Sequence, residues 1–320
     1  MGRARMRPRR LTTNIKALIA RIPKRYLMSL GTLLGDIALL VDAPHRRTVI
    51  RNIEFTHPHM TRLEIQQLCR RVFRHLAVTF LEICQMTCFS REDIVSRFRV
   101  VGAEHCRGLL RGNKGALLIS AHLGNYEMAL LYAACYFQAP VLTVAKKFNL
   151  PFYDRFLADL RTRSGARVIF KEGALPEMVK AVRGGGILVL LIDQSRSKDI
   201  VDVTFFGRKA TAAPGPALVA LRCDIPVIPV VCFRDADGTL TGQFYPPLSM
   251  QRTGDLRTDI LVNTQLMTDA VERAIREHID QWFWYHLKWK KYYPELYPGS
   301  SHRKRARQRR GNRRSSSEAS

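Results

Sequence analysis

The sequence predicts an α/β fold: a largely parallel mixed sheet flanked by helices, preceded by a helical, membrane-associating N-terminal segment. From residue 116, short apolar runs recur at 116–120, 140–145, 167–170, 187–192, 227–233 and 240–245. Helical segments fill 126–137, 151–164, 174–183 and 214–223 between them. Apolar strands alternating with helices describe a parallel sheet covered on both faces. Hydrophobic residues make up 46% of the 320, enough for a sizeable core.

Taken in order, residues 1–25 hold nine Lys or Arg and no acid, which reads as a basic, disordered tail. The following run, Tyr26 to Val41, has sixteen residues and a single charge, Asp36. It is shorter than the ~20 apolar residues a spanning helix needs. No small-x-small cleavage site follows, so a cleaved signal is not expected. Two readings stand: a helix lying in the membrane interface, or an amphipathic helix packed on its own domain. Residues 45–90 continue as helices. Thr61-Arg-Leu-Glu64 is a capping box. Leu63, Leu68, Val72, Leu76, Phe80 and Ile83 follow it on one expected apolar face. Residues 26–90 thus form an N-terminal helical region and residues 91–298 the α/β core. The core ends in a long helix at about 258–280 that runs into Gln281-Trp-Phe-Trp-Tyr-His286. Residues 299–320 form a second basic, disordered tail.

The net charge of +25 lies largely at the ends: +9 on residues 1–25, +7 on residues 303–320, and +9 on everything between. Such tails are solvated or attract polyanions, an anionic lipid surface among them. The seven cysteines are scattered, odd in number and without a Cys-x-x-Cys pair. No disulfide framework or zinc site is expected, and a reducing compartment fits.

The most informative segment is Ile119-Ser-Ala-His122-Leu-Gly124-Asn125-Tyr-Glu127, where a buried strand gives way to a helix. Open α/β sheets place their chemistry at such strand ends. A histidine is a good general base near neutral pH if its tautomer is fixed and its developing charge is balanced. Glu127, in the first helical turn, is the expected partner. The amides of Gly124 and Asn125, at the helix start, are candidates for holding an anion. No Gly-x-Ser-x-Gly is present, so the hydroxyl to be activated is expected to come from a substrate. A second apolar strand ends in Asp193-Gln194, and a carboxylate ending a buried strand needs a reason. Phe205-Phe206-Gly207 reads as packing and turn geometry. Ser195-x-x-Lys198 matches a known nucleophile pattern, but in a loop rather than at a helix start, and reads as chance.

These segments together resemble the lipid A biosynthesis lauroyl/myristoyl acyltransferases of the glycerolipid (lysophospholipid) acyltransferase superfamily. The resemblance spans roughly residues 26–295. It is carried by Arg46-Arg47…Asn52-Ile53 with Pro58, by Gly115…His122 to Glu127, and by Arg161…Gly165. It continues through Gly185-Gly186…Asp193-Gln194, Phe205-Phe206-Gly207 and Gln281-Trp282…Trp284…His286…Trp289-Lys290. It implies a glycerolipid acyltransferase-like fold. It also implies transfer of a fatty acyl chain from an acyl-thioester, acyl carrier protein or acyl-CoA, to a hydroxyl of a membrane glycolipid such as a lipid A precursor. Within it, His122 is the base and Glu127 its partner, Arg161 holds an acceptor phosphate, and Asp193, Gln194, Gly124 and Asn125 support the site. Neither cofactor nor metal is implied. The expected partners are acyl carrier protein, a membrane lipid acceptor and an anionic membrane surface, with no specific nucleic acid. The expected location is the cytoplasmic face of the inner membrane. Leu287-Lys288 stand where family members often carry two arginines. Acylation of a lysophospholipid or glycosylated phospholipid is the alternative. A basic nucleic-acid-binding module is a third reading, which leaves His122 and Glu127 without a role.

Overall fold

The computed structural model describes residues 22–106, 115–137, 139–145, 151–170, 173–194 and 199–298. The tails expected at 1–25 and 299–320 lie outside these apart from residues 22–25, and Ser195-x-x-Lys198 lies outside them entirely.

The described residues open with four helices: α1 (Lys24–Val41), α2 (Ala43–Thr56), α3 (Arg62–Met86) and α4 (Arg91–Ser96). Helix α1 packs on α3 through a glycine stripe. A Cβ at Gly35 would sit 2.5 Å from the Arg74 Cα, and one at Gly31 would sit 2.8 Å from the Val78 Cα. Asp36 accepts bidentate hydrogen bonds from both Arg70 and Arg74 of α3, all at 2.7–2.8 Å. The opposite face of α1 exposes Leu30, Leu33, Leu34, Ile37, Leu40 and Val41. The reading as a helix packed on its own domain holds for one face, and the other face offers apolar side chains outward. No single helix among the described residues is long and apolar enough to cross a membrane, and α1 and α2 meet at a 93° bend.

The capping box of α3 forms as the sequence predicts, with Thr61 N donating to Glu64 Oε2 at 2.7 Å. The apolar face of α3 is shifted from expectation. Ile65, Leu68, Cys69, Val72, Phe73 and Ile83 are buried, whereas Leu63 and Phe80 are exposed. Contacts with the neighbouring helices α1 and α2, not periodicity alone, decide which stripe is covered.

Then follow β1 (Phe98–Val101), β2 (Ala116–Ser120), α5 (Tyr126–Tyr136), β3 (Val141–Ala145), α6 (Pro151–Arg163), β4 (Arg167–Phe170), α7 (Ala174–Arg183) and β5 (Ile187–Leu191). The rest comprises β6 (Val201–Phe205), β7 (Arg208–Ala212), α8 (Gly215–Cys223), β8 (Val227–Arg234), β9 (Leu240–Phe244) and α9 (Leu256–Glu277). Among the described residues, seven strands form one sheet in the order β1-β9-β8-β2-β5-β3-β4, and every neighbouring pair is parallel except β8 with β9. The mixed, largely parallel sheet is the one the sequence predicts. The chain builds β3, β4 and β5 on one side of β2 and β8 and β9 on the other. The C-terminal end of β2 is therefore a topological switch point, where crevices open in such sheets.

Strands β6 and β7 form a separate hairpin that the apolar-run reading missed, because only alternate residues of β6 are buried. Its two-residue loop is Phe206-Gly207, with positive φ at both residues (53° and 69°), as tight hairpin turns require.

Candidate active site

The register of two neighbouring parallel strands builds the site. Ser120 of β2 pairs with Leu191 of β5. Two residues on in each chain stand His122 and Asp193, which this register places side by side above the sheet. The His122 Nδ1 lies 2.8 Å from Asp193 Oδ1, and the His122 backbone N–H donates to Asp193 Oδ2 at 3.0 Å. Trp282 Nε1 donates to that second oxygen at 2.8 Å. The Asp193 side chain is 1% exposed, whereas that of His122 is 20% exposed. Burial alone would raise the Asp193 pKa. The facing His122 and the hydrogen bonds from His122 and Trp282 outweigh it and hold the carboxyl well below its ordinary value. An ionised carboxylate only accepts, so Nδ1 carries a proton, and in the neutral ring Nε2 keeps its lone pair for another group. The imidazole is boxed by Tyr126 and Phe283, at ring-centroid distances of 4.9 and 6.2 Å.

The partner expected for His122 is thus corrected. Glu127 bonds Arg161 instead, through Nε at 2.9 Å and Nη2 at 2.5 Å. Helix geometry explains why. Helix α5 begins at Tyr126, and successive residues of a helix point ~100° apart. Tyr126 faces the imidazole, so Glu127 turns toward the last turn of α6, where Arg161 sits. Both members of this second pair are largely buried, with side-chain exposures of 12% and 2%. Arg161 is therefore brought to Glu127, with its charge already balanced there.

The expectation for the Gly124 and Asn125 amides is also corrected. Gly124 N–H donates to Gln281 O at 3.0 Å, and the Asn125 amide is directed at the Cys232 sulfur. Gly124 has φ +51°, and a Cβ there would meet the Cys232 carbonyl oxygen at 2.3 Å. The loop can cross β8 only without a side chain. Gly124→Ala should cost about 2 kcal/mol or more of stability, read from the denaturant midpoint, through strain and displacement of β8. Asn125 is fully buried. Its Oδ1 caps α5 by accepting from Met128 N at 3.0 Å, and its Nδ2 donates to Glu82 Oε2 at 2.9 Å. Both residues shape the loop. Gln194 follows Asp193 and is half-buried.

Three features of the site region escaped sequence reading. First, Glu82 of α3 pairs with Arg234 at the end of β8, through Nε at 2.9 Å and Nη2 at 2.5 Å. Their signal was a lone charge inside or ending an apolar run. Second, residues 281–283 run back over the His122 loop. Leu123 bridges Trp282, and Phe283 N donates to His122 O at 2.9 Å. Third, Lys288 is almost fully buried, with Nζ donating to Thr211 O at 3.2 Å and lying 4.6 Å above the Phe205 ring.

Burial pushes the Lys288 pKa down to about 8 against the raising effects of Asp193 and Glu272. Between that value and ~10.4, the ordinary lysine pKa, the unfolded chain binds a proton the folded one lacks. Stability contributed by neutral Lys288 is thus complete above the unfolded pKa and falls away as pH drops through about 8. Lys288→Met should stabilise the protein at pH 7 by about 1–3 kcal/mol and flatten the rise in stability on going to pH 10, measured by urea midpoints. Burial likewise drives the His286 pKa down to about 4, and its buried Nδ1 has no hydrogen-bond partner.

The structure is thus an α/β sheet with an oriented, partly exposed imidazole at its switch point, the place where open sheets of this kind carry their sites. The family profile described as bacterial lipid A biosynthesis acyltransferase matches residues 10–291. The chain is 24% identical to the lipid A biosynthesis lauroyltransferase of Escherichia coli K12 over 282 residues, covering 85% of this chain and 88% of that one. It is 22% identical to a Haemophilus influenzae lipid A biosynthesis acyltransferase over 271 residues (83% and 82%). It is 25% identical to the phosphatidylinositol mannoside acyltransferase of Mycobacterium tuberculosis (strain CDC 1551 / Oshkosh) over 197 residues, 60% of each chain. The chain belongs to the bacterial lipid A biosynthesis acyltransferase family. It is an acyltransferase with a lipid acceptor.

Proposed function

We propose that this enzyme moves a fatty acyl chain from the thioester of acyl carrier protein to a hydroxyl of a lipid A precursor, at the cytoplasmic face of the inner membrane. The observation that carries the chemistry is the His122 imidazole, with Nδ1 tied to buried Asp193 and Nε2 left to act as a base. Nε2 takes the proton of the acceptor hydroxyl as its oxygen attacks the thioester carbonyl carbon. Collapse of the tetrahedral intermediate breaks the C–S bond. The imidazolium returns the proton to the departing thiolate, so no protein-bound acyl group and no metal are needed. Asp193 holds the tautomer and balances the imidazolium. The Glu127–Arg161 pair ties the start of α5 to the end of α6 beside it.

The lipid A acceptor is favoured by the near full-length similarity to the lauroyltransferase. Similarity to a phosphatidylinositol mannoside acyltransferase keeps a glycosylated phospholipid as the second reading. An acidic carrier protein complements a chain of net charge +25. Membrane attachment is supported by the apolar outward face of α1, whose leucines would enter the headgroup boundary. The test is an assay of purified protein in anionic vesicles with acyl carrier thioesters, acyl-CoA and both acceptor classes, read by mass spectrometry. Acyl carrier thioester and a lipid A precursor should give the highest kcat/KM; turnover only with the mannosylated lipid overturns the acceptor assignment. Leu33→Glu with Leu40→Glu should release the protein from those vesicles without unfolding it.

A further inference from the structure

The geometry points to Trp282 as a positioning residue for acyl transfer: its indole N–H fixes the carboxylate that fixes the base. This rests on the reading of His122 as base given above. Asp193 has two oxygens. Oδ1 meets the imidazole at 2.8 Å, and Oδ2 accepts from the His122 backbone at 3.0 Å and from Trp282 Nε1 at 2.8 Å. Without the indole, the carboxylate could rotate about its terminal bond and offer Nδ1 a poorer angle. Trp282 is itself 2% exposed and locked from several sides. Phe206 stacks on it at 5.7 Å, with Phe205 and Trp284 edge-on at 5.6 and 4.7 Å. Its backbone bridges Leu123, and the next amide, Phe283 N, donates to His122 O at 2.9 Å. One short segment after α9 therefore grips both partners of the pair: His122 by its backbone and Asp193 by its side chain. This also gives the β6–β7 hairpin a purpose at the site, because its turn supplies the ring that holds the indole flat.

The indole N–H has a geometric consequence as well. It holds Oδ2, the oxygen that does not bond the imidazole, so Oδ1 stays aimed at Nδ1. Removing it lets the carboxylate turn, and the Nδ1–H to Oδ1 hydrogen bond loses its fixed alignment. The other titratable groups around the pair are Tyr126, packed on the imidazole from α5, and His286 and Lys288, which act on Asp193 from the C-terminal segment. None of these is altered by the substitutions below.

Trp282→Phe keeps an aromatic ring and deletes the N–H. Trp284→Phe is the matched control: it deletes an indole hydrogen bond in the same cluster, from Trp284 Nε1 to Ile279 O at 2.7 Å, without touching Asp193. Benzothienylalanine at position 282 is the shape-preserving variant, with sulfur in place of N–H, and carries the test if Trp282→Phe fails to fold. The assignment expects the 282 variants to lose about 10- to 100-fold in kcat, with KM for both substrates unchanged. It expects the hydrogen-bonded His122 Nδ1 proton in the NMR spectrum to weaken or move upfield, because the carboxylate no longer faces it squarely. Trp284→Phe should leave that signal in place. A 282 variant that loses activity with that signal unmoved, or a Trp284→Phe signal that moves as far, overturns it. His122→Ala separates the two levels. If that variant still transfers acyl groups, the proposed mechanism itself is wrong; if it is inactive while both tryptophan variants behave alike, only the Trp282 assignment falls.

Discussion

His122→Ala is expected to lower kcat by about 10²–10⁴, while the circular dichroism spectrum stays that of the wild type. The magnitude follows from what a general base and its paired carboxylate contribute together, about 10²–10⁴. The fold is expected to survive because His122 is the more exposed member of its pair; the buried Asp193 keeps two of its three hydrogen bonds, so the unfolding midpoint falls without the fold being lost. The two backbone bonds of His122, from N to Asp193 Oδ2 and from Phe283 N to its carbonyl, do not depend on the side chain. Activity within about threefold of wild type, from a turnover assay with acyl carrier thioester, would rule out His122 as the base.

Asp193→Asn lowers kcat by about 10³–10⁴, and it does so through the tautomer. A carboxamide turned to donate toward Nδ1 stabilises the wrong protonation site, leaving the proton on Nε2 where the acceptor hydroxyl needs a lone pair. KM should change little, since Asp193 is buried behind the imidazole. Glu127→Gln has a different signature. Its partner is Arg161, so the loss falls on a buried guanidinium left without its counter-charge. Breaking a largely buried pair of this kind costs about 3 kcal/mol in stability. Activity drops as the α5–α6 contact loosens, and an Arg161→Met, Glu127→Met double variant should recover more stability than either single one. A Glu127→Gln variant as stable as wild type, judged by urea unfolding, contradicts this assignment.

Much of the fold was legible because apolar runs and helical stretches alternate cleanly after residue 116. Strands β2, β3, β4, β5, β8 and β9 lie where those runs predict them. Strand β1 and the β6–β7 hairpin were not visible. Phe98–Val101 buries only Phe98 and Val100 in part or whole, and β6 alternates too briefly to stand out. The position of His122 was legible as a strand-end residue, and so was the oddity of Asp193 ending a buried strand. That these two meet was not, because it depends on β2 and β5 being neighbours in register, a non-local fact. The local spacing of His122 and Glu127 pointed elsewhere. It misled because α5 starts between them, and one residue of helix turns a side chain by ~100°. Gly124 and Asn125 were singled out for amides free to hold an anion, and those amides are engaged within the protein. Their constraint is backbone proximity to β8 and a cap held by Glu82, which a single sequence does not display. The family resemblance supplied the acyl-transfer chemistry; the structure supplied Asp193 as the partner of the His122 imidazole.

The central claim is that His122 is held by Asp193 and presents Nε2 to substrate. Nitrogen NMR of the His122 imidazole, with ¹⁵N-labelled histidine in the wild type, Asp193→Asn and Glu127→Gln, tests it most directly. The account predicts a neutral ring protonated on Nδ1, with a downfield hydrogen-bonded proton, in the wild type and in Glu127→Gln, and loss of that proton signal in Asp193→Asn. A signal that survives Asp193→Asn and disappears in Glu127→Gln would contradict it.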